Sequence, residues 1–258
     1  MKIFVICHDD ASETTAYSLI EQWRKDEDKV AEPIKFCVIR NRIKTVLFEN
    51  VVYDIVDARQ QTWQNEDYVG LITYSANIKW RYKDMTQLAW SDLRKNLTQS
   101  GTDVLGLYPL DFIHKNAKIS YIKAAVMCHG MNFLLTWRAL LTRLGYTNEQ
   151  CESKDVQGFF CNWWIGRPEC FQRYIKFYKK VVQLIDGDDE VKQLIRSDAH
   201  YLGRQTMSRR EIAEIFHGHE FFMLHPFILE RLPFFFFHFE KDISVKFLGP
   251  RIPFGINT

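Results

Sequence analysis

Glu230 and Arg231 stand together in His225-Pro-Phe-Ile-Leu-Glu-Arg-Leu-Pro233, a stretch otherwise apolar that runs on into Phe234–Phe237. Charges in such surroundings are either paired or bound to a ligand, because an isolated buried charge is very costly. Arg231 could hold a diphosphate through its planar fork of donors. Glu230 could act as a base or bind sugar hydroxyls. His225, which opens the stretch, is grouped with the ligand contacts. The plainer explanation is a Glu–Arg pair that clamps the C-terminal segment, and the residues alone leave both readings open.

Two further segments end apolar runs in polar groups. His8, Asp9 and Asp10 follow Ile3–Cys7. In an open α/β sheet the loop after the first strand lies beside the cleft, so it is expected to touch a nucleotide base or ribose. Asp10 is explained equally well as a helix N-cap. Tyr68–Tyr74 is an apolar strand that delivers Thr73, Tyr74, Ser75 and Asn77 to one edge, or makes an ordinary strand-to-loop transition. Asn162 lies among Phe159, Phe160, Trp163 and Trp164. A buried amide must find partners; it could bind sugar hydroxyls while Trp163 covers the apolar sugar face, or bond a neighbouring loop.

The metal signal is thin. Hard cations such as Mn²⁺ or Mg²⁺ take carboxylate oxygens, and sugar transferases that use them hold the ion with an Asp-x-Asp pair after a central strand. No such pair follows Val104–Tyr108. Asp103 is the candidate single carboxylate ligand, Asp111 the lesser one, and either suits a turn. His129 falls on an apolar helical stripe, where a core role is favoured. His217-Gly-His219 lacks the third ligand of a zinc motif.

The elements that must position these groups follow from periodicity. Lys2–Cys7 reads as a buried parallel strand. Asp10-Ala-Ser-Glu13 has capping-box form and predicts a helix to about Lys25. Strands are predicted at Ile34–Ile39, Val46–Phe48, Val51–Val56, Tyr68–Tyr74, Val104–Tyr108 and Phe159–Ile165. Helices are predicted over Met85–Leu97, over Ile119–Leu144 as one long element, from Pro168, and from the capping box Ser208-Arg-Arg-Glu211 to near Gly218. Pro226 and Pro233 bound a helical piece of about two turns. Strand followed by helix, repeated, predicts an α/β fold: a single Rossmann-like domain over residues 1–258, with a mostly parallel mixed central sheet flanked by helices.

Composition narrows the class. A net charge of +2 with no block of like charges argues against a nucleic-acid binder. No stretch is long enough to span a membrane. The six cysteines form no Cys-x-x-Cys pair and sit mostly in apolar runs, which fits reduced thiols and a cytoplasmic, reducing location. Aromatics at 15%, including 20 Phe and 7 Trp, suit both a packed core and a cleft with stacking surfaces.

Taken together, the motifs resemble a family of glycosyltransferases found in bacterial capsule and exopolysaccharide clusters, with relatives in large DNA viruses. The resemblance rests on the Ile3–His8 strand and loop, Tyr68-Val-Gly70 through Tyr74, Asn162 with Pro168–Tyr174, and Phe227–Leu232. This chain has Thr73-Tyr-Ser-Ala-Asn77 where the family often has His-Tyr-Arg-Arg-Tyr. The resemblance implies a GT-A-like fold and transfer of a sugar from a nucleotide sugar to a glycan acceptor. The alternative is a catalytically silent glycan-binding or interaction protein on the same scaffold.

Overall fold

Lys2–Cys7 carries no polar–apolar alternation, and it forms a strand, β1, whose residues from Ile3 onward are buried on both faces. The structure, a computed structural model, describes residues 1–25, 34–40, 52–74, 90–99, 101–107, 110–159, 162–201, 208–215, 218–248 and 252–255. Among these, the further strands are β2 (Lys35–Arg40), β3 (Val69–Thr73), β4 (Val104–Leu107), β5 (Leu110–His114), β6 (Ala117–Lys118), β7 (Trp164–Gly166), β8 (Val245–Leu248) and β9 (Ile252–Gly255). The helices are α1 (Asp10–Lys25), α2 (Val52–Ala58), α3 (Trp90–Gln99), α4 (Tyr121–His129), α5 (Met131–Arg143), α6 (Asn148–Cys151), α7 (Pro168–Gly187), α8 (Asp189–Ile195), α9 (Arg209–Ile215), α10 (Leu224–Leu229) and α11 (Leu232–Phe239).

The central sheet has the order β2-β1-β3-β7-β4-β8, and a smaller sheet has the order β6-β5-β9. β1 pairs in parallel with β2 and β3, and β4 pairs in parallel with β8. β7 pairs antiparallel with both β3 and β4, so it alone runs against the rest. Side chains alternate between the two faces. Ile3, Val5, Ile72, Leu105 and Ile165 pack with Ala16, Leu19 and Ile20 of α1 and Leu93 and Leu97 of α3. Phe4, Ile6, Leu71, Val104 and Trp164 pack with α2, α7, α10 and α11 on the other side. Gly70 makes the crossing of β7 possible: a Cβ there would lie 2.4 Å from Ile3 Cδ1 and 2.8 Å from Ile165 Cγ1.

α7 shows how sequence becomes packing. Pro168 occupies its first turn, and Phe171, Tyr174, Ile175, Tyr178, Val181 and Ile185 form its buried face. Phe171 stacks on Trp164 at 3.9 Å between ring centroids and an interplanar angle of 19°. Truncating such a buried aromatic to alanine costs about 3–5 kcal/mol.

Several expectations are corrected. Val51–Val56, expected as a strand, is helical from Val52, because Val52, Tyr53 and Val56 bury one helical face and tertiary packing overrides the β preference of valine. The long helix expected over Ile119–Leu144 is two helices, α4 and α5, parted at Gly130, whose φ of 73° is open to glycine and strained for other residues. The strand expected over Phe159–Ile165 is formed at Trp164–Gly166. The capping box expected at Asp10 and Glu13 is made one residue earlier: Asp9 Oδ1 accepts from the Ser12 N–H (2.7 Å), and the Asp9 N–H donates to Ser12 Oγ (2.8 Å). Asp111 is not a turn residue; it lies in β5 and pairs with Lys118 at 2.7 Å. The piece between Pro226 and Pro233 is two short helices, α10 and α11, with Glu230 and Arg231 at their joint. The box at Ser208 and Glu211 is present, with the Ser208 N–H donating to Glu211 Oε2 at 2.7 Å and the Glu211 N–H to Ser208 Oγ at 3.3 Å. The strand expected at Val46–Phe48, the start of the Met85–Leu97 helix, Tyr108, Ser75 to Asn77, Phe160 and His217 lie outside the described residues.

Gly106 tests the packing of β4 beneath the helices. A Cβ at this position would fall 2.6 Å from Phe159 Cδ1 and 3.0 Å from Phe247 Cδ1. Gly106→Ala is expected to lower stability by about 1–3 kcal/mol, as overpacking does. The reading is a lower urea midpoint with an unchanged slope. A midpoint equal to that of the natural protein would show that Phe159 is not held against the strand.

Candidate functional site

Because β7 alone is reversed, the carboxyl ends of β1, β2, β3 and β4 and the amino end of β7 share one edge of the sheet. Cys7 is level with Arg40, and Ile6 with Ile39 and Thr73. Continuing the antiparallel register from Leu71 and Trp164 brings Asn162 level with Thr73. His8, Tyr74, Arg40 and Asn162 therefore belong to one edge, the position at which open α/β sheets bind ligands.

The loop after β1 is held by local bonds. The His8 N–H donates to Ser12 Oγ at 2.8 Å, and the His8 ring meets Tyr74 edge-on at 5.8 Å. Hydrogen bonds from the Ser12 backbone and side chain hold the Asp9 carboxyl below its ordinary value. The Asp10 side chain is exposed and ion-paired with Arg40 at 2.5 Å; Arg40 also reaches Glu13 at 3.3 Å. Sequence reasoning missed Arg40, whose only signal was its place at the end of a predicted strand.

Asn162 is buried, and its Oδ1 accepts from Tyr53 Oη at 3.3 Å, while Trp164 Nε1–H donates to the same hydroxyl at 3.1 Å. Trp163 is fully buried on the opposite face, in the cluster with Ile72 and Leu105, and its carbonyl accepts from the Leu107 N–H. It presents no indole face for a sugar, which corrects the stacking role expected of it.

Arg231 stands at the joint of α10 and α11. Its Nη1 donates to Phe227 O at 2.7 Å, and its Nη2 lies 3.3 Å from His129 Nε2. Its guanidinium lies over the rings of Phe133 and Tyr121, at 5.5 and 5.8 Å from their centroids. Among the described residues its ion-pair partner is Glu230, at 4.0 Å. Tyr121 packs on Phe234, Phe234 on Phe159, and Phe159 covers Gly106, so the cluster is built on the carboxyl half of β4. His129 is a core residue, as its stripe position suggested, but it also touches Arg231. Burial first, then the positive charge of Arg231, push its pKa down to about 3, against a smaller opposing effect of its bond to Ala199 O.

Two candidates do not join this edge. Asp103 precedes β4 and so lies at the opposite edge of the sheet. Its Oδ1 accepts from Arg167 Nε at 3.0 Å, and its Oδ2 accepts from both the N–H and the hydroxyl of Ser244 at 2.9 Å. Burial would raise the Asp103 carboxyl, but these hydrogen bonds outweigh it and hold the pKa below the usual value. Asp103 is thus a fastener between β4 and the segment before β8, not a metal ligand at the cleft. Among the described residues, no three of His, Cys, Asp and Glu converge as a metal-ligand set. The Mn²⁺ or Mg²⁺ expectation has no donor set there, and no step is assigned to a metal. His225 is also displaced: it is buried in the helical layer, where burial and nearby Arg196 push its pKa down to about 4. Its Nε2 has no hydrogen-bond partner among the described residues.

The described cysteines, Cys7, Cys37, Cys128, Cys151 and Cys170, are free thiols. Burial pushes Cys7 and Cys151 up to about 11 and Cys170 up to about 12, so these three are protonated packing residues near neutral pH. Among the described residues no helix is long and apolar enough to cross a membrane.

The chain matches no protein-family model and no curated protein. Its fold is similar to that of the WbbM bifunctional glycosyltransferase, solved in its apo form, at 14% sequence identity and a TM-score of 0.50. The similarity covers 100% of this chain and 45% of that one, so the chain spans less than half the length of WbbM. At this identity the likeness establishes the fold: a mixed α/β architecture with a six-stranded central sheet flanked by helices.

The buried histidines set an acid limit. His129 and His225 are neutral when folded, at about 3 and about 4, against an ordinary 6.5 that they regain on unfolding. The unfolded chain therefore binds more protons below about pH 6.5, and stability is full above that pH and falls as pH drops toward the folded values. From pH 7 to pH 5 the expected loss is about 2 kcal/mol per histidine. His225→Leu removes an unpartnered polar atom from an apolar site. It is expected to hold or gain stability at pH 7 and to show a shallower decline on acidification. An acid slope equal to that of the natural protein would contradict this.

Proposed function

We propose that this protein is a glycosyltransferase that moves a sugar from a nucleotide-sugar donor to a hydroxyl of a glycan acceptor. The observation that carries the reading is the setting of Arg231. Its side chain is only 16% exposed, and its ion-pair partner among the described residues, Glu230, stands at 4.0 Å. A largely buried guanidinium whose ion pair with Glu230 is this long gains from a closer anion supplied from outside, since a poorly compensated buried charge is costly. The leaving diphosphate of a nucleotide sugar is such an anion, and its planar fit to a guanidinium is favourable. The likeness to WbbM adds support at the level of fold, because fold alone does not determine function.

In this reading the loop of His8, Asp9 and Asp10, with Tyr74, takes the nucleoside at the carboxyl edge. Asn162, buried at the same edge and bonded to Tyr53, supports the floor beneath the sugar. Arg231 stabilises the charge that develops on the diphosphate as the anomeric carbon–oxygen bond breaks. The acceptor oxygen bonds to the anomeric carbon as the bond to the diphosphate breaks; that bond's electron pair leaves with the diphosphate, and the acceptor proton passes to solvent. Glu230 stands beside Arg231 and hence on the leaving-group side. In an in-line displacement the base works from the opposite side, so Glu230 is assigned to the hydroxyls of the donor sugar.

A thermal-shift screen of nucleotides and nucleotide sugars is the first measurement, since a ligand that binds only the folded state raises its stability by mass action. Arg231→Lys is expected to remain folded and to lose roughly tenfold or more in nucleoside-diphosphate affinity, because lysine lacks the planar fork. Glu230→Gln is expected to keep that affinity and to lose the extra affinity contributed by the sugar. Variants that melt earlier yet bind the donor normally per folded molecule would reduce the motif to a clamp on the C-terminal segment.

A further inference from the structure

Two buried hydrogen-bond donors near Arg231 lack acceptors. Arg231 Nε and Tyr121 Oη are both inaccessible to solvent, and neither has a hydrogen-bond partner among the described residues. Tyr121 is 4% exposed, and the Arg231 guanidinium lies over its ring at 5.8 Å. Burial, with Glu230 and Cys128 nearby and against the opposing charge of Arg231, keeps the Tyr121 hydroxyl well above the ordinary tyrosine value, so it carries its proton. Native interiors rarely leave such donors unmet, and these two belong to side chains that pack on one another.

The remaining contacts explain why this acceptor is not another part of the chain. The ring of His129 is fixed between Phe227 at 4.4 Å and Phe133 at 5.8 Å. Its Nδ1 lies 3.1 Å from Ala199 O, a carbonyl that can only accept, so the proton is on Nδ1 and Nε2 is an acceptor toward Arg231. Phe227 O occupies Nη1. These two neutral acceptors orient the guanidinium without cancelling its charge, and they leave Nε–H without a partner among the described residues.

We propose that Arg231 Nε–H and Tyr121 Oη–H form a two-donor seat for one oxyanion, with His129 as the positioning residue that sets the guanidinium. The seat rests on the reading of Arg231 as a ligand contact and adds the second donor to it. The occupant is a phosphoryl or carboxylate oxygen, and the first source is the diphosphate of the nucleotide sugar. Both atoms are buried, so an oxyanion reaches them only when neighbouring side chains move.

Tyr121→Phe isolates the hydroxyl, because the ring contacts with Phe112 and Phe234 remain. Binding of pyrophosphate, uridine diphosphate and glucuronate is measured by calorimetry on the natural protein, on Tyr121→Phe, on His129→Gln and on His129→Leu. The expected result is a melting temperature for Tyr121→Phe that is unchanged or raised, with roughly tenfold weaker binding of pyrophosphate and uridine diphosphate, the loss typical of one charge-assisted hydrogen bond. His129→Gln, whose amide oxygen can replace Nε2, is expected to retain most of the affinity that His129→Leu loses. A hydroxyl-dependent response to glucuronate alone would support the seat with a sugar carboxylate as its occupant. Equal affinity in Tyr121→Phe and the natural protein overturns the seat and leaves the wider reading of the site standing. A natural protein that binds none of the three probes overturns both.

Discussion

The reversal of one three-residue strand governs the architecture. β7 lies between β3 and β4 and bonds to both, so the two parallel parts of the sheet meet only through it. Its side chains fasten both layers at once. Trp164 is fully buried against Phe171 and donates to Tyr53 Oη, while Ile165 packs on the opposite face in the space left by Gly70. Its reversal also decides which groups meet: the approach to β7 returns Asn162 to the edge where β1 and β3 end. A parallel strand in the same place would have sent Asn162 to the far edge, beside Asp103.

The helical layer above that edge is apolar to an unusual degree, and this raises the stakes of every polar group within it. Phe234 to Phe237 are all buried. In a medium of low effective dielectric a bonded polar group is held strongly and an unbonded one is costly. The chain answers with neutral partners: His129 and His225 are uncharged, and Arg231 is oriented by a carbonyl and an imidazole. In the proposed reading this leaves the charge of Arg231 for an external anion. Asp103, by contrast, is met by Arg167 and Ser244, and its role is exhausted in holding the strands together.

Much of the scaffold was legible because its signals are local. The unalternating run Lys2–Cys7, Pro168 ahead of an apolar stripe, and the Ser208–Glu211 box each specify their element within a few residues. Failures came where distant packing decides. Val52, Tyr53 and Val56 favour a strand by residue type but become a helical face against α7. Gly130 breaks a stripe that runs smoothly through it, since the periodicity of neighbours cannot report a backbone angle. The site was legible only in part. The strand-end rule put His8, Tyr74 and Asn162 at one edge of the sheet, and the register agrees with that placement. Trp163 was expected to stack on a sugar beside Asn162, but it is buried in the cluster with Ile72 and Leu105, because neighbouring residues of an extended segment face opposite sides. Arg40 and Tyr121 carried no motif; Tyr121 gains its interest from an unmet hydroxyl, which no sequence pattern encodes.

The central claim is that Arg231 is held charged and under-bonded for an incoming anion. Its most direct test is the Nε–Hε resonance of the Arg231 side chain, followed by nuclear magnetic resonance while uridine diphosphate is added. The account predicts a saturable downfield shift and slower hydrogen exchange at this one group, at the same concentrations that shift the backbone signals of His8 and Asp9. A resonance that stays in place while the His8 loop responds, or that is already protected and unresponsive without ligand, would contradict it.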